Sequence, residues 1–180
     1  MVIVWTQIAN AVSMLSPLMA WWHHRKNKAG TCGLTRTMIC HIPVSFMYHL
    51  VSGFGLRGLV RQVLKALDLS LIHIYAVQTS CALMQRMPKA PLTNFPTMLN
   101  FYCVFRVCQG HEDTGVRMTS LYLCSHTAMR HLQWSKKKQV VLIGGLSSAF
   151  FYFDDRLGDW GHSIFHIMLG RLHHEILCLI

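Results

Sequence analysis

Residues 1–22 carry no charged side chain, and Arg25, Lys26 and Lys28 follow at once. At about 1.5 Å of rise per residue, a helix of this length crosses a hydrocarbon core of about 30 Å. That narrows the fold sharply, because in lipid every backbone N–H and C=O has to be satisfied inside a helix or a closed barrel. The pattern then recurs. Further apolar runs cover residues 37–53, 66–84, 92–107, 118–129, 139–153 and 160–180, each set off by a short polar or basic connector. Charged residues make up 13% of the chain, against about 25% in ordinary soluble domains, which leaves little to coat a water-facing surface. The expected fold is all-α: a polytopic membrane helix bundle of about seven transmembrane helices, forming one integral membrane domain over residues 1–180.

Lys and Arg set the orientation of such a bundle, because they are retained on the cytoplasmic side. With the N-terminus outside, connectors 23–36, 85–91 and 130–139 lie inside and hold 4, 2 and 4 basic residues. Connectors 54–65, 109–117 and 154–159 then lie outside and hold 3, 1 and 1. Ten against five puts the N-terminus outside and the C-terminus in the cytoplasm. The net charge of +10 would fit a nucleic-acid binder, but the 17 basic residues sit mostly in short clusters between apolar runs. They form no continuous stripe with interleaved aromatics, so the expected partner is the bilayer and not nucleic acid. Seven cysteines with no Cys-x-x-Cys pair suggest apolar filler, with a Cys103–Cys108 bridge as the alternative if both face the lumen.

Inside the second run, Ser45 and His49 lie four residues apart and share a helical face. Polar groups at such depth are costly without partners, and the topology supplies them. The second run heads outward, placing His49 just below its outer end. The third heads inward, placing Asp68 near its outer start, and the seventh carries His162 and His166 in its first two turns. Ser45, His49, Asp68, His162 and His166 therefore converge at one depth near the outer face, from three separate runs. Histidines at i and i+4 can hold one ion, and adding His49 gives the three neutral imidazoles of a catalytic zinc site with a fourth position open. Asp68 would orient or deprotonate water there, and Ser45 would hydrogen-bond the water or a developing oxyanion. Read singly, the same residues have plainer roles, His49 and Asp68 as an interhelical hydrogen bond and the pairs His23-His24 and His173-His174 as interfacial residues that bind nothing. Arg171 and Glu175, in the last run, are spaced to pair as i and i+4.

The order Ser45-x-x-x-His49, then Asp68, then His162-x-x-x-His166 resembles the signature of the CREST superfamily of seven-span membrane proteins. That group includes the alkaline ceramidases, the progestin and adipoQ receptors, the GPI-anchor remodelling proteins and the myomaker-like proteins. The local text Phe46-Met-Tyr-His-Leu50, Leu67-Asp-Leu-Ser70 and Trp160-Gly-His-Ser-Ile-Phe-His166 looks most similar to the myomaker-like branch. The resemblance implies zinc held by His49, His162 and His166, with Asp68 and Ser45 in catalysis and a membrane lipid as substrate. The function it implies is hydrolysis of an amide or ester bond in a ceramide, phospholipid or GPI anchor near the exoplasmic face, at the plasma membrane or in the endoplasmic reticulum or Golgi. Its alternative is a non-enzymatic membrane protein whose metal site is structural, acting in fusion, adhesion or signalling.

Overall fold

Pro17 breaks the first apolar run into two helices, α1 (Trp5–Ser13) and α2 (Pro17–His24). Proline has no N–H to offer the preceding turn. The chain tightens around it, with Ser16 N–H bonding Ser13 O at 3.0 Å and Leu18 N–H bonding Leu15 O at 3.0 Å, both three residues back. The elbow is held from outside by the Ser16 hydroxyl, which donates to the backbone oxygen of His166 at 2.7 Å. These observations come from a computed structural model that describes residues 4–26, 33–84, 94–111, 113–130, 132–158 and 160–180.

The remaining helices are α3 (Gly33–Gly53), α4 (Leu59–Met84), α5 (Asn94–Cys108), α6 (Thr114–Met129), α7 (Trp134–Tyr152) and α8 (Trp160–Leu179), with a 3-10 turn at Asp154–Leu157. Among the described residues all regular structure is helical, as the apolar runs lead one to expect. Several helices outrun their apolar segments. Helix α4 begins seven residues before the apolar run at Ala66, taking Arg61 and Lys65 into the helix, so Asp68 lies in its third turn and not its first. The connector at 85–91, with Arg86 and Lys89, lies outside the described residues.

Helix α4 sits at the centre, packed on α3 along one side and on α5 and α6 along the other, while α8 packs on α7, α1 and α2. Helix α1 bridges the two groups by touching both α3 and α8. The core between them is built from Met14, Leu34, Met38, Tyr75, Leu169 and Ile176. Helix α3 buries Leu34, Met38, His41, Ile42, Ser45, His49 and Gly53, a stripe at every third or fourth residue that carries three of its polar side chains inward.

That inversion extends through the molecule. His41, His49, Asp68, His73, Asn100 and His166 are buried, whereas Trp5, Trp22, Phe95, Phe101, Trp134 and Ile167 are exposed. A water-soluble fold does the reverse, since large apolar side chains in water and unpaired polar groups inside both cost free energy. The polar residues that make the middle runs look weak in sequence are spent on each other. His73 Nδ1–H donates to Asn100 Oδ1 at 2.8 Å, Arg117 Nε–H donates to His73 Nε2 at 3.3 Å, and Asn100 Nδ2 donates to Ser120 O at 3.1 Å. These bonds lace α4, α5 and α6 together. By length and composition, α4 is the one helix among the described residues long and apolar enough to cross a membrane. In α3 and α8 the inward histidines themselves lower the hydropathy.

From sequence, the Gly144-Gly145 pair in the 139–153 run would let helices approach closely, but the close approach falls elsewhere. A Cβ on Gly145 would meet nothing within 4 Å, and one on Gly144 only ordinary contacts with Leu172. A Cβ on Gly170 would come 2.6 Å from Ser16 Oγ and 2.8 Å from the Ser16 carbonyl carbon, so α8 crosses the Pro17 elbow at its glycine. Cys103 and Cys108 are both free thiols, Cys103 buried and donating to Ser120 Oγ at 3.4 Å. Arg171 and Glu175 form an ion pair across one turn of α8 at 2.5 Å.

Candidate metal centre

His49 projects from the last full turn but one of α3, and His162 and His166 from the first two turns of α8. Their ring centroids are 4.9 Å apart for His49 and His162, 5.2 Å for His49 and His166, and 4.6 Å for His162 and His166. One ring nitrogen from each lies within 4.8 Å of the other two. The structure thus brings together the three histidines that the sequence spacing places at one depth.

What aims them is a second layer of oxygens. His49 Nδ1–H donates to Gln7 Oε1 of α1 at 2.8 Å, which leaves the lone pair on Nε2. That Nε2 is buried and has no hydrogen-bond partner among the described residues. His166 Nδ1–H donates to the backbone oxygen of Asn10 at 2.9 Å, with Ser13 Oγ 3.1 Å from the same nitrogen. Asn10 is itself pinned to α8, because the Ser163 hydroxyl donates to its Oδ1. His162 starts α8, where its backbone N–H donates to Asp154 Oδ1 at 2.7 Å while Asp154 Oδ2 stands 4.0 Å from its Nδ1. An acceptor oxygen on Nδ1 thus fixes tautomer and orientation for His49 and His166, as in histidine metal sites, while Asp154 stands near His162 Nδ1 beyond hydrogen-bond reach.

The residues fit a metal of the zinc class. A buried imidazole lone pair without a donor is costly, and a cation satisfies it. Zinc bound to nitrogen at about 2.1 Å spaces its ligand atoms about 3.4 Å apart, within reach of the 4.8 Å envelope.

Asp68 and Ser45 lie beside the triad, on a separate contact. Asp68 Oδ1 accepts from His41 Nε2–H at 2.8 Å, and both side chains are buried. Ser45 is next to the Asp68 carboxylate, yet its buried hydroxyl completes no hydrogen bond of normal geometry. Asp68 also acts electrostatically on His49 and His166.

Sequence reasoning missed Gln7, Asn10, His41 and Asp154. A signal was present for the first three. Gln7 and Asn10 are polar residues three apart in an otherwise charge-free run, and His41 repeats the four-residue spacing of Ser45 and His49 on the same face of α3. Compared with known proteins, the chain matches no family model, no curated protein and no solved structure.

Proposed function

We propose that the chain is a multi-pass membrane protein of about seven spans, N-terminus outside, and a zinc-dependent hydrolase of a lipid amide or ester near the exoplasmic face. The observation that carries the proposal is the convergence of His49, His162 and His166, with Nδ1 of His49 and His166 tied back to Gln7 and Asn10. The membrane reading draws on the exposed aromatic and aliphatic side chains and on the polar groups buried beside the apolar core, and the location proposed with it is the plasma membrane or the endoplasmic reticulum and Golgi.

His49, His162 and His166 would hold the metal, which when bound would supply Lewis acidity toward a water or a substrate carbonyl. The chain's own groups do the rest. Gln7 and Asn10 fix the tautomer of His49 and His166 and keep their rings aimed. The Asp68 carboxylate, steadied by His41 at Oδ1, takes up the proton that water must lose. Ser45, with its hydroxyl unsatisfied beside Asp68, is available to donate to the oxyanion.

A second reading draws on one observation: Asp68 is already engaged by His41, as in a metal site that only holds helices together. The test is purification in mild detergent with metal analysis and a fatty-acid release assay on a ceramide and a phospholipid panel. The hydrolase reading expects one zinc at the triad, turnover abolished by chelation, and Asp68→Asn losing at least about 100-fold in rate with zinc retained. His166→Ala should lose both zinc and turnover. Zinc without turnover on any substrate of the panel would leave the structural reading standing, and parent protein without metal would end both.

A further inference from the structure

At the opposite end of the bundle a second group of ligand atoms meets. His24 closes α2, and His174 and Cys178 lie one turn apart on the last turns of α8. His24 Nε2 is 3.2 Å from His174 Nδ1. The Cys178 sulfur stands 3.9 Å from His24 Nε2 and 3.7 Å from His174 Nε2. Taken one atom per residue, the three ligand positions lie within 4.8 Å of one another. His23 sits at the rim, its ring centroid 4.9 Å from that of His24 and 5.2 Å from that of His174.

We infer that His24, His174 and Cys178 form a second metal site, for a borderline-soft divalent cation of the zinc class. The chemistry of the set selects that class, since imidazole and thiolate suit zinc and exclude magnesium and calcium, which take oxygen. The spacing suits it as well. Zinc bonds of about 2.3 Å to sulfur and about 2.0 Å to nitrogen put those two atoms about 3.5 Å apart, close to the separations found. His24 is 5% exposed, so the site has one rigid buried ligand, while the exposed Cys178 gives an ion its way in.

Binding replaces the Cys178 S–H by a sulfur–metal bond and releases its proton to solvent. The metal then clasps the end of α2 to the end of α8, adding to the elbow at Ser16 and the bonds of Asn10 to Ser163 and His166 that fix α8 against the N-terminal segment. The site differs from the three-histidine centre in one chemical respect. It alone contains sulfur.

Cobalt(II) makes that difference visible, because thiolate–cobalt bonding gives an intense near-ultraviolet charge-transfer band that imidazole–cobalt bonding does not. The full chain, in detergent with any affinity tag removed and apoprotein prepared by chelation, is titrated with cobalt and its bound metal counted. The expected result is two cobalt ions per chain with the band present. Cys178→Ser and His174→Ala should each abolish the band and lower the count by one, whereas His166→Ala should lower the count by one and keep the band. A count that falls from one to none in Cys178→Ser, with loss of the band, would support this site while refuting the three-histidine centre. A parent protein without the band, or a band that survives Cys178→Ser, would overturn the inference. Cys178 is exposed near the end of α8, so its conservative replacement leaves the core untouched.

Discussion

Replacing Gln7 by leucine is the sharpest test of how the three-histidine centre is held. The Gln7 side chain gives His49 Nδ1–H its one protein acceptor, 2.8 Å away, and that bond puts the lone pair on Nε2, where a metal would meet it. Leucine keeps the bulk and lies in the same place beside Gly53, where the Gln7 Cβ packs 3.4 Å from the position a Cβ would take. It offers no acceptor. Loss of such an outer partner weakens metal binding by about 10–100-fold, which corresponds to about 1.4–2.7 kcal/mol. An independent route gives the same size, because a buried donor left without its acceptor costs about 1–3 kcal/mol. Competition for zinc against a chromophoric chelator, at fixed pH in detergent, reads the change directly. Gln7→Leu should bind zinc about 10–100-fold more weakly with an unaltered helical spectrum, while Gln7→Glu, which keeps an oxygen in place, should hold its affinity or tighten it. If Gln7→Leu binds within twofold of the parent, the oxygen at His49 is not what organises the site, and the argument from tautomers fails.

Two further outcomes check the fold. Gly170→Ala drives a methyl group into the backbone and hydroxyl of Ser16, so it should destabilise the protein by about 1–3 kcal/mol. Gly145→Ala, which meets open space, should leave the detergent melting temperature unchanged. For orientation, a membrane-impermeant maleimide applied to intact cells should label the exposed Cys108 beside the outer 109–117 connector. It should reach Cys178 only after permeabilisation in the presence of a chelator; labelling of Cys178 in intact cells would reverse the proposed topology.

The helices and the histidine triad were legible because both depend on periodicity. An apolar run says where a helix must be, and a four-residue spacing says which side chains share its face, so His162 and His166 needed no tertiary information to be paired. Their meeting with His49 needed only depth, which the loop charges supplied. Helix ends were less legible. The start of α4 at Leu59 is amphipathic and charged, and nothing in its hydropathy separates a helix from a connector. Rotation about the helix axis was illegible altogether. Depth placed Asp68 beside His49, but its rotational setting directs it onto His41, a residue with equal claim to the same face of α3. The glycine pair at 144–145 misled for the same reason, since small residues permit close packing without saying which face a neighbour will take.

The Pro17 elbow is what lets one helix serve two sites. A straight helix through residues 5–24 would follow a single neighbour along its length. Broken at Pro17, the segment sends α1 between α3 and α8, where Gln7 and Asn10 reach His49 and His166, and sends α2 down α8 to bring His24 against His174. Ser16 and Gly170 fix the crossing point between them. The backbone oxygen of His166 accepts from Ser16 while its ring donates to Asn10, so the first ligand set is anchored by the same turn of α8 that fixes the elbow. Helix α8 therefore carries a nitrogen-only ligand set at its start and a sulfur-containing set at its end, separated by the length of the bundle. That separation, and not the count of histidines in the chain, is why the two groups of ligands remain chemically distinct.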